Sequence, residues 1–366
     1  MIRQVYLDFI KDKISNKELG WILKRAIQYV LTHASFLLGK PLCGPILGTL
    51  VVTYKCNYHC KMCDLPLRDE QLQKQGLKEL STPELKQILR DFAGLGISGV
   101  GFTGGEPLLR SDIFELLKYT KDLGMITHLN TNGFLLNEEN IKKILNAKID
   151  SINISLDGAN AQTHDAIRRH PGAFDKAIAA IECIKVMRKE TGIPIRLKIV
   201  AVINEANIDE VGDLVKLSND LGTDCIEFIP QQRFFESSQP GRLCFDDIFL
   251  KKLQKATGYL LKLKRQGVKI ENSPRHIKLF KGAFKNDKSP LVCYAGYNSY
   301  AVDCYGEIYP CLPWVNWGKS AGNIKNAALK KFWYSSKYNK IRNDILNCRD
   351  CYLNCQSELN LLFNIK

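Results

Sequence analysis

The sequence predicts an α/β protein: a partial, six-unit parallel β/α barrel followed by a small cysteine-rich unit. Two observations carry the prediction. Strand-like runs alternate with helical runs from residue 48 to 231, and most cysteines gather in two groups, one at each end of the chain. At 366 residues the chain exceeds one ordinary domain, which fits a large α/β body with a smaller appendage.

The strand-like runs are Leu50–Tyr54, Gly99–Thr103, Ile126–Asn130, Ser151–Leu156, Ile195–Ile203 and Cys225–Ile229. Between them, apolar residues at helical spacing mark Thr82–Leu95, Asp112–Leu123, Glu138–Ala147, Phe174–Glu190 and Ile208–Leu221. Thr82-Pro83-Glu84 and Ser111-Asp112 read as helix caps, and Gly96, Gly124 and Gly222 stand where helices should stop. Strands that are apolar throughout belong to a parallel sheet covered on both faces. Two further β/α units would be needed for a closed eight-stranded barrel, and the sequence does not offer them. Loops leaving the C-terminal ends of such strands share one face. Cys56, Gly104-Gly105-Glu106, Thr131-Asn132-Gly133 and Asp157-Gly158 all fall there.

This barrel, residues 48–231, follows a lead-in, residues 1–47. From Lys17 to Leu38 the lead-in places Leu19, Ile22, Leu23, Ile27, Val30 and Leu37 at helical spacing, with Trp21 near the start. Gly39, Pro41, Gly44 and Pro45 interrupt the apolar stretch, so it is not a membrane span. Two readings stand: a helix lying on a membrane or over a substrate mouth, and one packed on the barrel, which is preferred. After the barrel, residues 232–289 read as a basic helical linker containing an amphipathic helix over Phe245–Gly267. Residues 290–366 form the cysteine-rich unit.

The chain carries thirteen cysteines and no N-terminal signal pattern, so clustered cysteines read as metal ligands of a cytoplasmic protein. Isolated Cys183, Cys225 and Cys244 read as small buried hydrophobes. The net charge is +14 and falls unevenly: residues 251–290 hold twelve Lys/Arg and two acids, and Lys319 to Arg342 hold seven with no acid. A basic C-terminal third attracts anions, whether nucleic acid, an anionic membrane, a phosphorylated substrate or an acidic electron-transfer protein.

Cys56, Cys60 and Cys63 form C-x₃-C-x₂-C directly after the first strand. Three thiolates do not complete the four-thiolate set of an electron-transfer [4Fe–4S] cluster, whereas a catalytic metal needs an open position. Spacing alone leaves a zinc site completed by His59 or by a distant group as a rival. Thr103-Gly104-Gly105-Glu106-Pro107 decides between them. Its glycines permit close backbone approach and the Glu106 carboxylate can receive an ammonium group, neither of which zinc requires.

The pairing of C-x₃-C-x₂-C after the first strand with Gly-Gly-Glu after the second resembles the radical S-adenosylmethionine (SAM) superfamily, over about residues 48–231. The resemblance implies a TIM-like partial barrel in which Cys56, Cys60 and Cys63 bind three irons of a [4Fe–4S] cluster and SAM chelates the fourth. It implies that Glu106 and the Gly104-Gly105 backbone meet the SAM amine, with Met62 beside the adenine where an aromatic residue is usual. Ile154-Ser155-Leu156-Asp157-Gly158 and His164-Asp165-Ala166-Ile167-Arg168 resemble segments of the peptide-modifying and sulfatase-maturing members, which implies SAM contacts from Ser155 and Arg168. One extra residue separates these segments here, leaving Arg169 as a substitute. Asp157 orients the loop, touches the ribose or simply caps a turn.

In the C-terminal unit, Tyr300–Cys304 and Glu307–Tyr309 alternate around Tyr305-Gly306 as a hairpin does. By spacing alone a zinc ribbon is as good a reading. Cys293, Cys311 in Gly306-x₄-Cys311, Gly322-Asn323-Ile324 and Cys348-x₂-Cys351-x₃-Cys355 resemble the SPASM/twitch extension of radical SAM enzymes. That extension implies an auxiliary [4Fe–4S] cluster on Cys293, Cys311 and two of Cys348, Cys351 and Cys355; Cys304, at a turn, is not assigned.

The implied activity is reductive cleavage of SAM to a 5′-deoxyadenosyl radical that abstracts hydrogen from an unidentified substrate: a small molecule, lipid or peptide. An acidic flavodoxin or ferredoxin is the implied electron donor, and the protein is expected to be cytoplasmic, with membrane association through the lead-in helix left open. The competing expectation is a non-catalytic zinc protein that binds nucleic acid through its basic surface, which leaves Gly104-Gly105-Glu106 unexplained.

Overall fold

Helix α1 (Leu19–Leu37) leads into β1 (Leu47–Thr53). There follow α2 (Leu65–Lys74), α3 (Thr82–Leu95), β2 (Gly99–Gly104), α4 (Ile113–Asp122), β3 (Ile126–Thr131) and α5 (Glu138–Asn146). The series continues with β4 (Ser151–Ser155), α6 (Ala161–Arg168), α7 (Ala173–Thr191), β5 (Arg196–Ile203), α8 (Val211–Asp220) and β6 (Cys225–Pro230). Then come α9 (Asp247–Arg265), α10 (Pro274–Lys285), β7 (Ser299–Val302), β8 (Glu307–Tyr309), α11 (Leu312–Asn316) and β9 (Gly322–Asn323). The chain ends in α12 (Leu329–Trp333), α13 (Ser336–Leu346) and α14 (Asn354–Leu361). This computed structural model describes residues 14, 19–232, 245–326 and 328–364; Cys244 and Lys17 lie outside them.

One nine-stranded sheet runs β6-β5-β4-β3-β2-β1-β7-β8-β9. Strands β1 to β6 are parallel throughout, giving the partial barrel that the alternating pattern predicts. The outward strand faces and the helices bury one apolar layer, with Leu50, Val100, Leu129, Ile152 and Ile199 against Leu85, Phe92, Leu117, Ile144 and Ile181. Helix α3 shows the local logic: Leu85, Ile88, Leu89, Phe92 and Leu95 are its buried stripe, and Gly96 ends it at φ +82. Its capping residue is Ser81 rather than Thr82, because the Glu84 carboxylate accepts from the Ser81 N–H at 2.8 Å.

The inward strand faces mix polar side chains with apolar ones. His128 Nδ1 lies 2.6 Å from Ser151 Oγ, Asn153 donates to Asn130 at 2.8 Å, and a fully buried Lys198–Glu227 ion pair joins β5 to β6. Taking hydrogen-bonding groups off water favours pairing them, and these contacts pair most of the atoms, leaving His128 Nε2 and Asn153 Oδ1 without a partner among the described residues.

The cysteine-rich unit is not a satellite. Strand β7 pairs parallel with β1, from Leu47↔Ser299 to Leu50↔Val302, and β8 and β9 then add antiparallel. A buried polar network reinforces the seam: Asp303 accepts from Tyr54 Oη at 2.6 Å and Tyr309 Oη at 2.9 Å. Arg68 donates to Tyr309 Oη and to the Val315 carbonyl, and Tyr305 Oη donates to Asp69 at 2.9 Å. Helix α1 packs on the body through a polar face, Gln28, Thr32 and Ser35, and not through the apolar stripe marked by the helical spacing.

Candidate active site

The C-terminal ends of β1 to β6 surround a cavity of about 290 Å³. Val51, Thr103, Asn130, Asn153, Ser155, Val200, Val202 and Ile229 form its floor and walls. Cys56, Cys60 and Cys63, on the loop after β1, line one side together with Met62, Gly104, Gly105 and Arg168. Leu312, Val315, Asn316, Leu353, Asn354 and Cys355 also line it, and all six come from the cysteine-rich unit. Every cysteine of the first motif therefore faces the same space as one cysteine of the second.

Burial pushes the Cys56 thiol up to about 12 and the Cys63 thiol up to about 11. The Arg168 guanidinium approaches Cys60, its Nη1 standing 3.8 Å from Sγ. His59 is exposed and does not line the cavity, so it is not placed to complete a zinc site. Among the described residues, no three His, Cys, Asp or Glu side chains converge as ligands of a single ion do. A tetrahedral zinc site would require thiols only about 3.8 Å apart. Three separated thiols around open space fit a cluster that offers a different iron to each of them, with one iron left free.

The Gly-Gly-Glu segment is built more tightly than its sequence suggests. A Cβ on Gly104 would stand 2.1 Å from the Thr53 carbonyl oxygen, and one on Gly105 2.1 Å from that of Lys55. Gly105 and Glu106 donate their N–H groups to these same carbonyls at 2.8 Å. The glycines thus let β2 close on the end of β1, which fixes the base of the cysteine loop. The Glu106 side chain is fully buried and absent from the cavity wall. Its carboxylate accepts from Leu108 N at 3.0 Å, Thr131 Oγ1 at 2.8 Å and Asn132 N at 2.7 Å. Burial lifts its pKa to about 7 against the pull of those three donors. In this arrangement Glu106 ties the second strand end to the third, while Gly104 and Gly105 face the cavity.

Asp157 is likewise buried and off the cavity wall. Its Oδ2 pairs with Arg168 Nε at 2.7 Å and its Oδ1 accepts from Val202 N at 2.8 Å. Of its expected roles, orientation of the loop fits this placement; it does not face the cavity as a ribose ligand would. Arg169 is exposed, capping α6 at φ +52, so Arg168 is the arginine that reaches the cavity. Sequence reasoning did not single out Asn130 and Asn153 as lining residues, although an asparagine inside an otherwise apolar buried strand is a signal for one.

Around the auxiliary site, Cys293 and Cys311 are buried with Ala295 and Ile345, and Cys348 packs beside them. A hydrogen bond from the Cys293 thiol holds Cys348 down at about 7. Burial, with the Glu227 carboxylate adding to it, pushes the Cys355 thiol up to about 12, and burial beside Cys355 raises the Cys351 thiol. Five thiols in mutual electrostatic reach fit a four-thiolate cluster, whose binding displaces their protons. Cys304 is buried apart, among Val51, Tyr54 and Tyr309. Cys183 and Cys225 also stand apart from both groups, but Cys183 is only half-buried against the core and Cys225 is buried beside Arg196 and Glu271 rather than among apolar side chains.

A larger cleft, about 1370 Å³, opens at the other end of the strands. The acids among its lining residues are already paired, Asp224 with Arg188, Glu271 with Arg196 and Asp150 with Lys121.

Fold and site together define an iron–sulfur enzyme of the β/α-barrel class. The chain belongs to the radical SAM superfamily: the superfamily model matches residues 50–217, and the SPASM model, an iron–sulfur cluster-binding domain, matches residues 293–352. An AdoMet-dependent heme synthase of Methanosarcina barkeri is 29% identical over 316 residues, covering 82% of this chain and 85% of that protein. The PqqA peptide cyclase of Bradyrhizobium diazoefficiens is 31% identical over 183 residues, covering 50% of this chain and 46% of that protein. The fold is shared with Streptococcus suis SuiB, solved bound to its precursor peptide SuiA, at TM-score 0.65 and 18% identity, covering 93% and 80% of the two chains. Membership implies SAM and [4Fe–4S] clusters as cofactors and an external electron donor. It overturns the alternative of a non-catalytic zinc protein that binds nucleic acid.

Proposed function

We propose that this enzyme abstracts a hydrogen atom from a small-molecule substrate bound between the two cysteine groups, with the auxiliary cluster beside the same cavity. The observation that carries the reading is the shared cavity, lined both by Cys56, Cys60 and Cys63 and by Cys355, Asn354 and Leu353. Cys56, Cys60 and Cys63 would hold the SAM-binding cluster. Cys293, Cys311 and two of Cys348, Cys351 and Cys355 would hold the auxiliary one. When bound, the first cluster and SAM supply one-electron cleavage of the sulfonium and the hydrogen-abstracting species.

The chain's own residues orient and enclose. Gly104, Gly105, Met62, Ser155 and Arg168 line the cavity and would meet SAM, with Glu106 and Asp157 positioning that wall from behind. Val200, Val202, Ile229, Leu312, Val315 and Leu353 supply an apolar part of the remaining wall, between the amides of Asn130, Asn153, Asn316 and Asn354. Likeness to a heme synthase along most of both chains favours a porphyrin-class heme precursor over a peptide. Such a polycarboxylate also suits a chain of net charge +14, as does an acidic flavodoxin or ferredoxin donor.

Anaerobic reconstitution tests the reading. It expects about eight irons per chain, 5′-deoxyadenosine under reductant, and SAM-dependent conversion of a heme precursor detected by mass spectrometry. Tightly bound zinc without SAM cleavage would sink the enzyme. SAM cleavage that no porphyrin stimulates would remove the substrate assignment.

A further inference from the structure

Helix α1 is amphipathic the wrong way round. A helix held to a protein by burial turns its apolar stripe inward and its polar face to water. Here the buried residues are Gln28, Thr32 and Ser35. Gln28 Nε2 donates to the carbonyls of Gly44, Pro45 and Gly96 at 3.0–3.1 Å, and the Ser35 hydroxyl accepts from Leu42 N at 2.8 Å. Tyr29 stacks on Phe363 and Phe36 on Tyr294, at 4.6 and 4.1 Å between ring centroids. The inner face is therefore satisfied without the aliphatic residues.

Those residues point outward. Leu19 is 66% exposed, Leu23 62%, Ile27 50%, Val30 63% and Leu37 70%, and Leu38 and Leu42 continue the line beyond the helix. Single exposed leucines are ordinary, but a continuous row along five turns is a docking surface. Its charge selects the partner. Between Leu19 and Cys63 there is no Asp or Glu, and Lys24 and Lys40 are exposed beside the row. At its C-terminal end Trp333 Nε1 donates to the Cys43 carbonyl at 3.0 Å. That contact brings up the acid-free segment 319–342, with Lys330, Lys331, Lys337 and Lys340 exposed.

We propose that α1 seats this enzyme on an anionic lipid bilayer, the helix lying in the interface with its aliphatic row in the acyl boundary and the lysines among headgroup phosphates. No helix among the described residues is long and apolar enough to cross a membrane, so the contact is peripheral. A second copy fits worse. A two-fold interface would set this lysine-bearing face, whose own segment from Leu19 to Cys63 holds no acid, against itself.

Co-sedimentation of the reconstituted full chain with vesicles decides. Phosphatidylcholine–phosphatidylglycerol vesicles should pellet the protein at least about tenfold more strongly than phosphatidylcholine alone, with binding falling as salt rises. The triple variant Leu23→Glu/Ile27→Glu/Val30→Glu should lose that binding, while circular dichroism and SAM cleavage stay unchanged. Lys24→Glu/Lys40→Glu keeps the aliphatic row and should weaken binding to the anionic vesicles alone. Equal pelleting of wild type and triple variant would overturn the proposal. So would a wild-type dimer that binds no vesicles and is dissolved by the triple substitution.

Discussion

Arg168 Nε lies 2.7 Å from the Asp157 carboxylate, and the same guanidinium reaches to 3.8 Å from the Cys60 sulfur. One buried ion pair thus fixes a cation at the edge of the cysteine loop. Asp157 is held in turn by the Val202 N–H, so β4, α6 and β5 all contribute to where the charge stands. Asp157→Asn should leave Arg168 buried without an anion, at a cost of about 3–5 kcal/mol, read by urea unfolding. SAM affinity measured anaerobically should fall in parallel. A variant with wild-type stability and SAM affinity would show that Arg168 is positioned by something else.

The two cysteine groups should separate in an iron count. Cys293→Ala and Cys311→Ala should each cost about four of eight irons and leave SAM cleavage by the first cluster measurable. Cys304→Ala should retain every iron, since its sulfur packs among Val51, Tyr54 and Tyr309. Single alanine variants of Cys348, Cys351 and Cys355 should show two that lose the auxiliary cluster and one that does not.

Arg342 is a fully buried cation satisfied without a carboxylate. It donates to the carbonyls of Gly296 and Trp333, both at 2.8 Å, and to Asn339 Oδ1 at 2.6 Å, within a cage of Tyr297, Trp333 and Tyr338 rings. Arg342→Met keeps much of the volume but strands three acceptors. It should lose about 3–5 kcal/mol and, because Gly296 follows Cys293 closely, should shed auxiliary-site iron faster under chelator. Unchanged unfolding and iron release would mean that the cage, not the cation, holds this corner.

Stability should weaken in mild acid for a definable reason. Burial holds His128 and His164 neutral down to about 3, whereas in the unfolded chain both protonate near 6.5. Their stabilisation is complete above about pH 6.5 and is lost as pH falls toward 3, at roughly 1.4 kcal/mol per histidine per pH unit. Urea midpoints at pH 7.5 and 5.5 should show it, and His128→Leu should flatten the difference. A wild-type profile flat over that range would contradict it.

Much of this molecule was legible in its sequence, and the parts that were not share a cause. The six barrel strands fell within a few residues of their true ends because apolar runs between helical periods leave little choice; Gly99–Thr103 and Cys225–Ile229 each differ by one residue. The hairpin at Tyr305-Gly306 was equally plain. What escaped was direction. Helical spacing marked Leu23, Ile27 and Val30 as a stripe but could not say that it faces outward. Glu106 was recognised as part of the site, yet only three dimensions reveal that its carboxylate accepts from Asn132 and Thr131 behind the wall. Helices α2 and α6, short and polar, carry little periodic signal; packing against neighbours sustains them.

The pairing of β1 with β7 also sets a timetable. The ribosome delivers Leu47–Leu50 some 250 residues before Ser299–Val302, the segment that completes its hydrogen bonding. Through most of synthesis β1 is the raw edge of an unfinished sheet, open to pairing with another nascent chain. Contacts so distant in sequence form slowly, and Cys293 and Cys311 flank this late-arriving strand. Auxiliary-cluster insertion should therefore trail the first cluster in maturation, and chains truncated before residue 299 should aggregate rather than persist as a free barrel.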